Sequence, residues 1–87
     1  MKVTLYTKDT YCSYCEKAKA LLMMKNIAFT ELKLNQDFTK DTLLEAFPSA
    51  KTFPVVVVDG FNIGGYEQLA EKIQEETDNR KFLTEDR

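Results

Sequence analysis

Both cysteines of the chain lie in TYCSYCEKAKALL, residues 10–22, three positions apart. Two thiols at that spacing can exchange with disulfides, supply half of a metal site, or fill core space as two small side chains. Zinc asks for four ligands, the chain has no histidine, and two thiols meet only half the need. A carboxylate-completed or subunit-shared metal site stays open beside the redox reading. In a reducing compartment a close thiol pair is redox-active or metal-binding more often than structural.

The exchange reading assigns the two sulfurs different environments. Cys12 falls where a strand gives way to a helix, and Cys15 falls one turn inside that helix. Unpaired N–H groups and the positive end of the macrodipole favour an anion at a helix start. The Cys12 thiol is therefore expected below the ordinary thiol range, as the thiolate that attacks. Cys15 shares a helical stripe with Ala18 and Leu22, so its sulfur is expected to point inward and be shielded. One helical turn brings such sulfurs within bonding range. Cys12 would attack and Cys15 resolve.

Positioning this pair falls to a strand before it and a helix after it. Residues 2–7 (KVTLYT) alternate and read as a strand. A helix is predicted from Ser13 to Lys25, with Asn26 where it stops. Ala28 to Leu34 has strand character. A second helix is predicted from Thr39 to Phe47, burying Leu43, Leu44 and Phe47, with Pro48 as its stop. Val55 to Val58 is a β-branched run suited to a central strand. Asp59-Gly60 signals a two-residue turn into a returning strand, Phe61-Asn62-Ile63. Gly64-Gly65 breaks that strand before a last helix from Tyr66 to about Glu76, with Leu69, Ala70 and Ile73 inward.

The order is βαβ-α-ββ-α. The βαβ crossover makes the first two strands parallel and the tight turn makes the last two antiparallel. The fold class expected is α/β, a four-stranded mixed sheet with three helices packed on its faces. One domain, residues 1–76, is followed by a polar, frayed tail, 77–87, whose apolar residues are Phe82 and Leu83.

Composition narrows the function. The chain has 87 residues, 44% hydrophobic and 30% charged, a soluble globular balance. Its net charge of −2 supplies no basic field for nucleic acid or an anionic membrane. No apolar run approaches the ~20 residues of a spanning helix, and MKVTLYTKDT is not of signal-peptide type. The expected location is cytoplasmic. No phosphate loop and no paired acid–base carboxylates stand out.

Three segments, YTKDTYCSYCEKAKALL, TFP and GGYEQL, in this order and at these separations, together resemble the glutaredoxin family. The likeness covers nearly the whole domain and leaves out the tail. It implies a thioredoxin-like fold and a glutathione-dependent thiol–disulfide oxidoreductase, with glutathione as reductant and protein disulfides and glutathione mixed disulfides as substrates. Ribonucleotide reductase is a partner at the level of the family, and the protein is expected as a monomer. Carried over, Cys12 is the nucleophile, Cys15 the resolving thiol, and Tyr14 lines the site. Thr52-Phe53-Pro54 is the loop whose proline is cis, with Phe53 offering its backbone to the cysteinyl part of glutathione as an added strand does. Gly65, Tyr66, Glu67 and Gln68 hold the γ-glutamyl end at a helix start. Lys8 and Lys51 are candidates for the glycine carboxylate.

The chain departs from the family pattern at four places. Lys8 stands four before Cys12 instead of three, with Tyr11 as an extra residue. Gln68 replaces a common aspartate, so an ion pair to the glutathione amine becomes a neutral hydrogen bond. Val55 follows the proline where a polar residue is frequent. Ser13 replaces a common proline, and in some family members C-S-Y-C accompanies a [2Fe–2S] cluster shared by two subunits. The assignment is therefore no metal, with Cys12 as cluster ligand in the alternative, a carrier or sensor.

Overall fold

The structure is a computed structural model, and it describes residues 1–74. Six elements are β1 (Val3–Thr7), α1 (Ser13–Met24), β2 (Phe29–Lys33), α2 (Lys40–Ala46), β3 (Val55–Val58) and β4 (Phe61–Gly64). A third helix, α3, occupies 66–74 of the described residues. The predicted end of this helix near Glu76 and the tail 77–87 lie outside them.

The strands form one sheet in the order β2-β1-β3-β4. β1 and β2 run parallel, as the α1 crossover requires. β3 runs antiparallel to both β1 and β4. The β3–β4 hairpin closes at Val58↔Phe61 through Asp59 (φ 52°) and Gly60 (φ 88°). Positive φ at both turn residues suits the right-handed twist of the strands, which is why Asp-Gly works there. Pairing shifts between Val56 and Val57, so that Val57 faces Asn62 and Val56 faces Gly64. Ile63 is the extra residue of β4 there, and a bulge of this kind bends its strand.

Two apolar layers cover the sheet. On one face Val3, Leu5, Val56 and Val58 meet Ala18 and Leu22 of α1 and Leu69 and Ile73 of α3. On the other, Val55 and Val57 meet Leu43 of α2, with Tyr6, Phe38, Phe47 and Phe53 packed around them. Central strand β3 is therefore buried on both faces, which accounts for four consecutive valines.

Leu44 differs from expectation: it is 36% exposed. α2 has only seven residues, so one stripe faces the sheet. Leu43 and Phe47, four apart, occupy it, while Leu44 is turned about 100° away. Leu69 and Ile73 are buried as predicted, and Ala70 is half-buried.

Candidate active site

Cys12 is the N-cap of α1, in extended backbone conformation. Its Sγ accepts the Cys15 N–H at 3.2 Å, and its carbonyl accepts the Glu16 N–H at 3.1 Å. A sulfur at the N-cap thus takes the part that a serine or aspartate oxygen usually plays, against the positive end of the helix. Cys15 is 2% exposed, on the stripe with Ala18 and Leu22, whereas Cys12 is half-buried. The two form a disulfide with their Cα atoms 5.2 Å apart. This is the division expected from the sequence: one sulfur at the surface, one shielded.

Beside the helix start lies a groove of about 300 Å³ lined by Tyr14, Thr52, Phe53, Pro54, Gly65, Tyr66, Glu67 and Gln68. Three separate pieces of chain meet there. Tyr14 projects from α1, half exposed, with the Tyr66 ring 6.1 Å away and the Lys17 ammonium 5.1 Å from its own ring centre. Pro54 is buried and its peptide bond with Phe53 is cis. Phe53 precedes β3, and its ring stacks toward Phe38 at 6.2 Å, continuing through Tyr6 to Phe47. This chain of rings seats the loop on the α2 side of the sheet. The Phe53 backbone lies outside the strand pairing, which begins at Val55.

Gly65 precedes α3 and accepts the Leu69 N–H at 3.0 Å, the first bond of that helix. Gln68 Oε1 accepts the Gly65 N–H at 2.9 Å, half of a capping box. A glycine in the cap position brings no side-chain acceptor to the first-turn amides. Those amides belong to residues that line the groove.

Lys8 and Lys51 are placed differently. Neither lines this groove. Lys51 lines an adjoining groove with Ser49, Thr52, Asn62 and Gly64. Lys8 is exposed in the loop between β1 and Cys12.

Sequence reasoning did not single out a polar network that joins the end of β1 to β2 and α1. Buried Thr7, the last residue of β1, donates its hydroxyl to Glu31 Oε2 at 2.9 Å. The same oxygen lies 3.2 Å from Lys19 Nζ, which also pairs with Glu16 at 2.9 Å. The hydrogen bond to Glu16 raises the Lys19 pKa above its ordinary 10.5; burial opposes this, and Glu31 reinforces it. Nothing in EKAK at positions 16–19 marks the pairing, because Glu31 is on a neighbouring strand. Asn62 was also missed: its Oδ1 accepts the Gly64 N–H at 2.9 Å across the bulge.

A mixed sheet with a Cys-x-x-Cys disulfide opening its first helix and a cis-proline loop before its central hairpin defines the class: a thioredoxin-like thiol–disulfide oxidoreductase. The glutaredoxin family model matches residues 3–63. Glutaredoxin 3 of Escherichia coli (strain K12) is 37% identical over 67 residues, 77% of this chain and 80% of that protein. Glutaredoxin 1 of Rickettsia conorii is 36% identical over 75 residues, 78% of this chain and 72% of that one. Among solved structures, reduced Escherichia coli glutaredoxin superimposes with a TM-score of 0.72 at 27% identity, covering 90% of this chain and 99% of that chain. Glutaredoxin 1 from Francisella tularensis gives 0.70 at 25% identity, covering 88% and 96%. The chain belongs to the glutaredoxin family.

Among the described residues no group of three or more His, Cys, Asp or Glu could hold a metal ion, and no helix is long and apolar enough to cross a membrane. A [2Fe–2S] cluster shared by two subunits would take Cys12 and glutathione from each side, so this chain would supply one ligand, Cys12.

Proposed function

We propose that the chain is a glutathione-dependent reductase of glutathione mixed disulfides and protein disulfides, acting as a monomer in a cytoplasm. The carrying observation is the unequal thiol pair beside the groove: Cys12 capped by a backbone N–H, Cys15 buried beneath it. In the reduced protein the Cys12 thiolate attacks the glutathione sulfur of a mixed disulfide. The substrate leaves as a thiolate and takes up a proton, and Cys12 carries glutathione. A second glutathione thiolate attacks that sulfur, forming oxidised glutathione and returning Cys12 as thiolate. On a protein disulfide, Cys12 forms the mixed disulfide and the Cys15 thiolate then attacks Cys12 Sγ. This releases the second substrate thiol and leaves the Cys12–Cys15 disulfide, which two glutathiones reduce.

Glutathione would lie along the groove. Its cysteinyl backbone pairs with Phe53 as an added strand, and its γ-glutamyl carboxylate meets the amides at Glu67 and Gln68. Tyr14 and Tyr66 form an aromatic wall. With Gln68 Oε1 engaged on Gly65, its amide nitrogen is the freer group toward the ligand. Lys8 and Lys51 would reach the glycine carboxylate from outside the groove, as long flexible cations.

Variants in a glutathione-coupled assay test the assignment. Cys12→Ser should abolish turnover with both substrate classes. Cys15→Ser should keep removal of glutathione from mixed disulfides and lose reduction of protein disulfides through the dithiol route. Equal loss in both variants contradicts the roles.

A further inference from the structure

We infer that Lys19 is a positioning residue for the thiol chemistry, holding the Glu16 carboxylate in an ion pair so that its charge does not act on the Cys12 thiolate one helical turn away. The inference rests on the reading of Cys12 as the attacking thiolate.

Glu16 follows Cys12 by four positions, and its N–H is bonded to the Cys12 carbonyl. Within a helix that spacing puts Cβ atoms about 5–6 Å apart, and Cys12 caps the helix in which Glu16 sits. An unpaired carboxylate there opposes the helix dipole and disfavours a second negative charge on the sulfur. Lys19 meets it at 2.9 Å.

A surface i,i+3 pair by itself is weak and fluctuating. This one is held from behind. The Lys19 side chain is only 19% exposed, and it also contacts Glu31, itself 22% exposed, at 3.2 Å. Glu31 is in turn fixed by the hydroxyl of buried Thr7. Thr7 ends β1, Glu31 lies in β2 and Lys19 in α1, so three elements that locate Cys12 converge on one ammonium. Two carboxylates and one ammonium sum to −1; without Lys19 the sum is −2.

Other charged or titratable groups lie on the segments next to Cys12 and along the groove. Lys17 lies over the Tyr14 ring. Asp9, in the preceding loop with Lys8, accepts the Asn35 amide at 3.0 Å. Tyr66 and Glu67 of α3 line the groove with Tyr14.

The test uses the full reduced chain and the pH dependence of iodoacetamide alkylation at Cys12, with folding checked by circular dichroism. Lys19→Met should move the Cys12 midpoint up by about 0.3 pH unit, the size of one charge seven helical residues, or about 10 Å, away in well-solvated space. Lys19→Arg should leave it in place. Glu16→Gln combined with Lys19→Met should return it toward the native value, which lost packing could not do. Glu16→Gln alone, at an exposed residue, should move the midpoint down and keeps the inference testable should Lys19→Met not fold. Unchanged midpoints in folded Lys19→Met and in Glu16→Gln, or no recovery in the double variant, would overturn it. An ordinary thiol midpoint at Cys12 in the native chain would instead overturn the nucleophile assignment, and this inference with it.

Discussion

Gly64 shows how one missing side chain organises the groove. Its φ is 118°, and a Cβ added there would come within 2.8 Å of Gln68 Cγ and Oε1. Gln68 needs that space to bring its Oε1 onto the Gly65 N–H. Gly64→Ala would combine a strained backbone with displacement of the capping side chain. The expected cost is roughly 1–3 kcal/mol in urea unfolding, with a raised KM for glutathione and an unchanged alkylation rate at Cys12. A native-like unfolding midpoint would contradict this account. The double glycine was legible as a turn leading into a helix, and the unequal burial of the two cysteines was legible from their place at a helix start. Which glycine carries the positive φ was not. That depends on the bulge opposite Val56 and Val57, and FNIGG contains no signal for it.

At the level of elements, α2 depends on its cap because it is short. Thr39 Oγ1 accepts the Thr42 N–H at 3.2 Å, and Thr42 Oγ1 accepts the Thr39 N–H at 3.0 Å. Seven residues make too little helix to persist without tertiary contact, and Leu43 alone is fully buried from it. Thr39→Ala should lower stability by about 1 kcal/mol, read as a fall in Tm of about 4–8 °C for a domain of this size. Activity at 25 °C should persist, since the groove is not lined by Thr39. An unshifted melting curve would mean that the cap contributes nothing measurable. The periodic elements, β1, α1 and β3, were readable because one regular pattern covers each. Tyr6 and Leu44 show where pattern fails. Tyr6 occupies the outward position of β1 but meets Phe38 and Phe47 in a second apolar layer, and Leu44 looks like core in a helix too short to bury it. Both depend on how much material covers the far face of the sheet, a quantity set by tertiary packing.

Across the whole domain, the Thr7–Glu31–Lys19–Glu16 network ties the paired strands β1 and β2 to α1, at the edge of the sheet opposite β4. Its contribution should depend on pH in a direction fixed by Lys19. The folded-state pKa of Lys19 is raised, chiefly by its hydrogen bond to Glu16, above the ordinary 10.5. The native state therefore binds this proton more tightly than the unfolded chain does. The resulting stabilisation is fully present below the unfolded value and is lost as pH rises through the folded one. The native curve alone sums every ionisation in the chain and would not isolate it. A difference measurement does: the unfolding free energy of the native chain minus that of Lys19→Met, from urea curves at neutral pH and at about pH 11, above the ordinary lysine value. The lysine stem also packs, and that part of the difference is independent of pH. The difference should be constant through neutral pH and should shrink once pH passes the ordinary lysine value. A difference that stays level to the alkaline limit would mean that Lys19 holds the three elements together through its hydrocarbon stem and not through its charge.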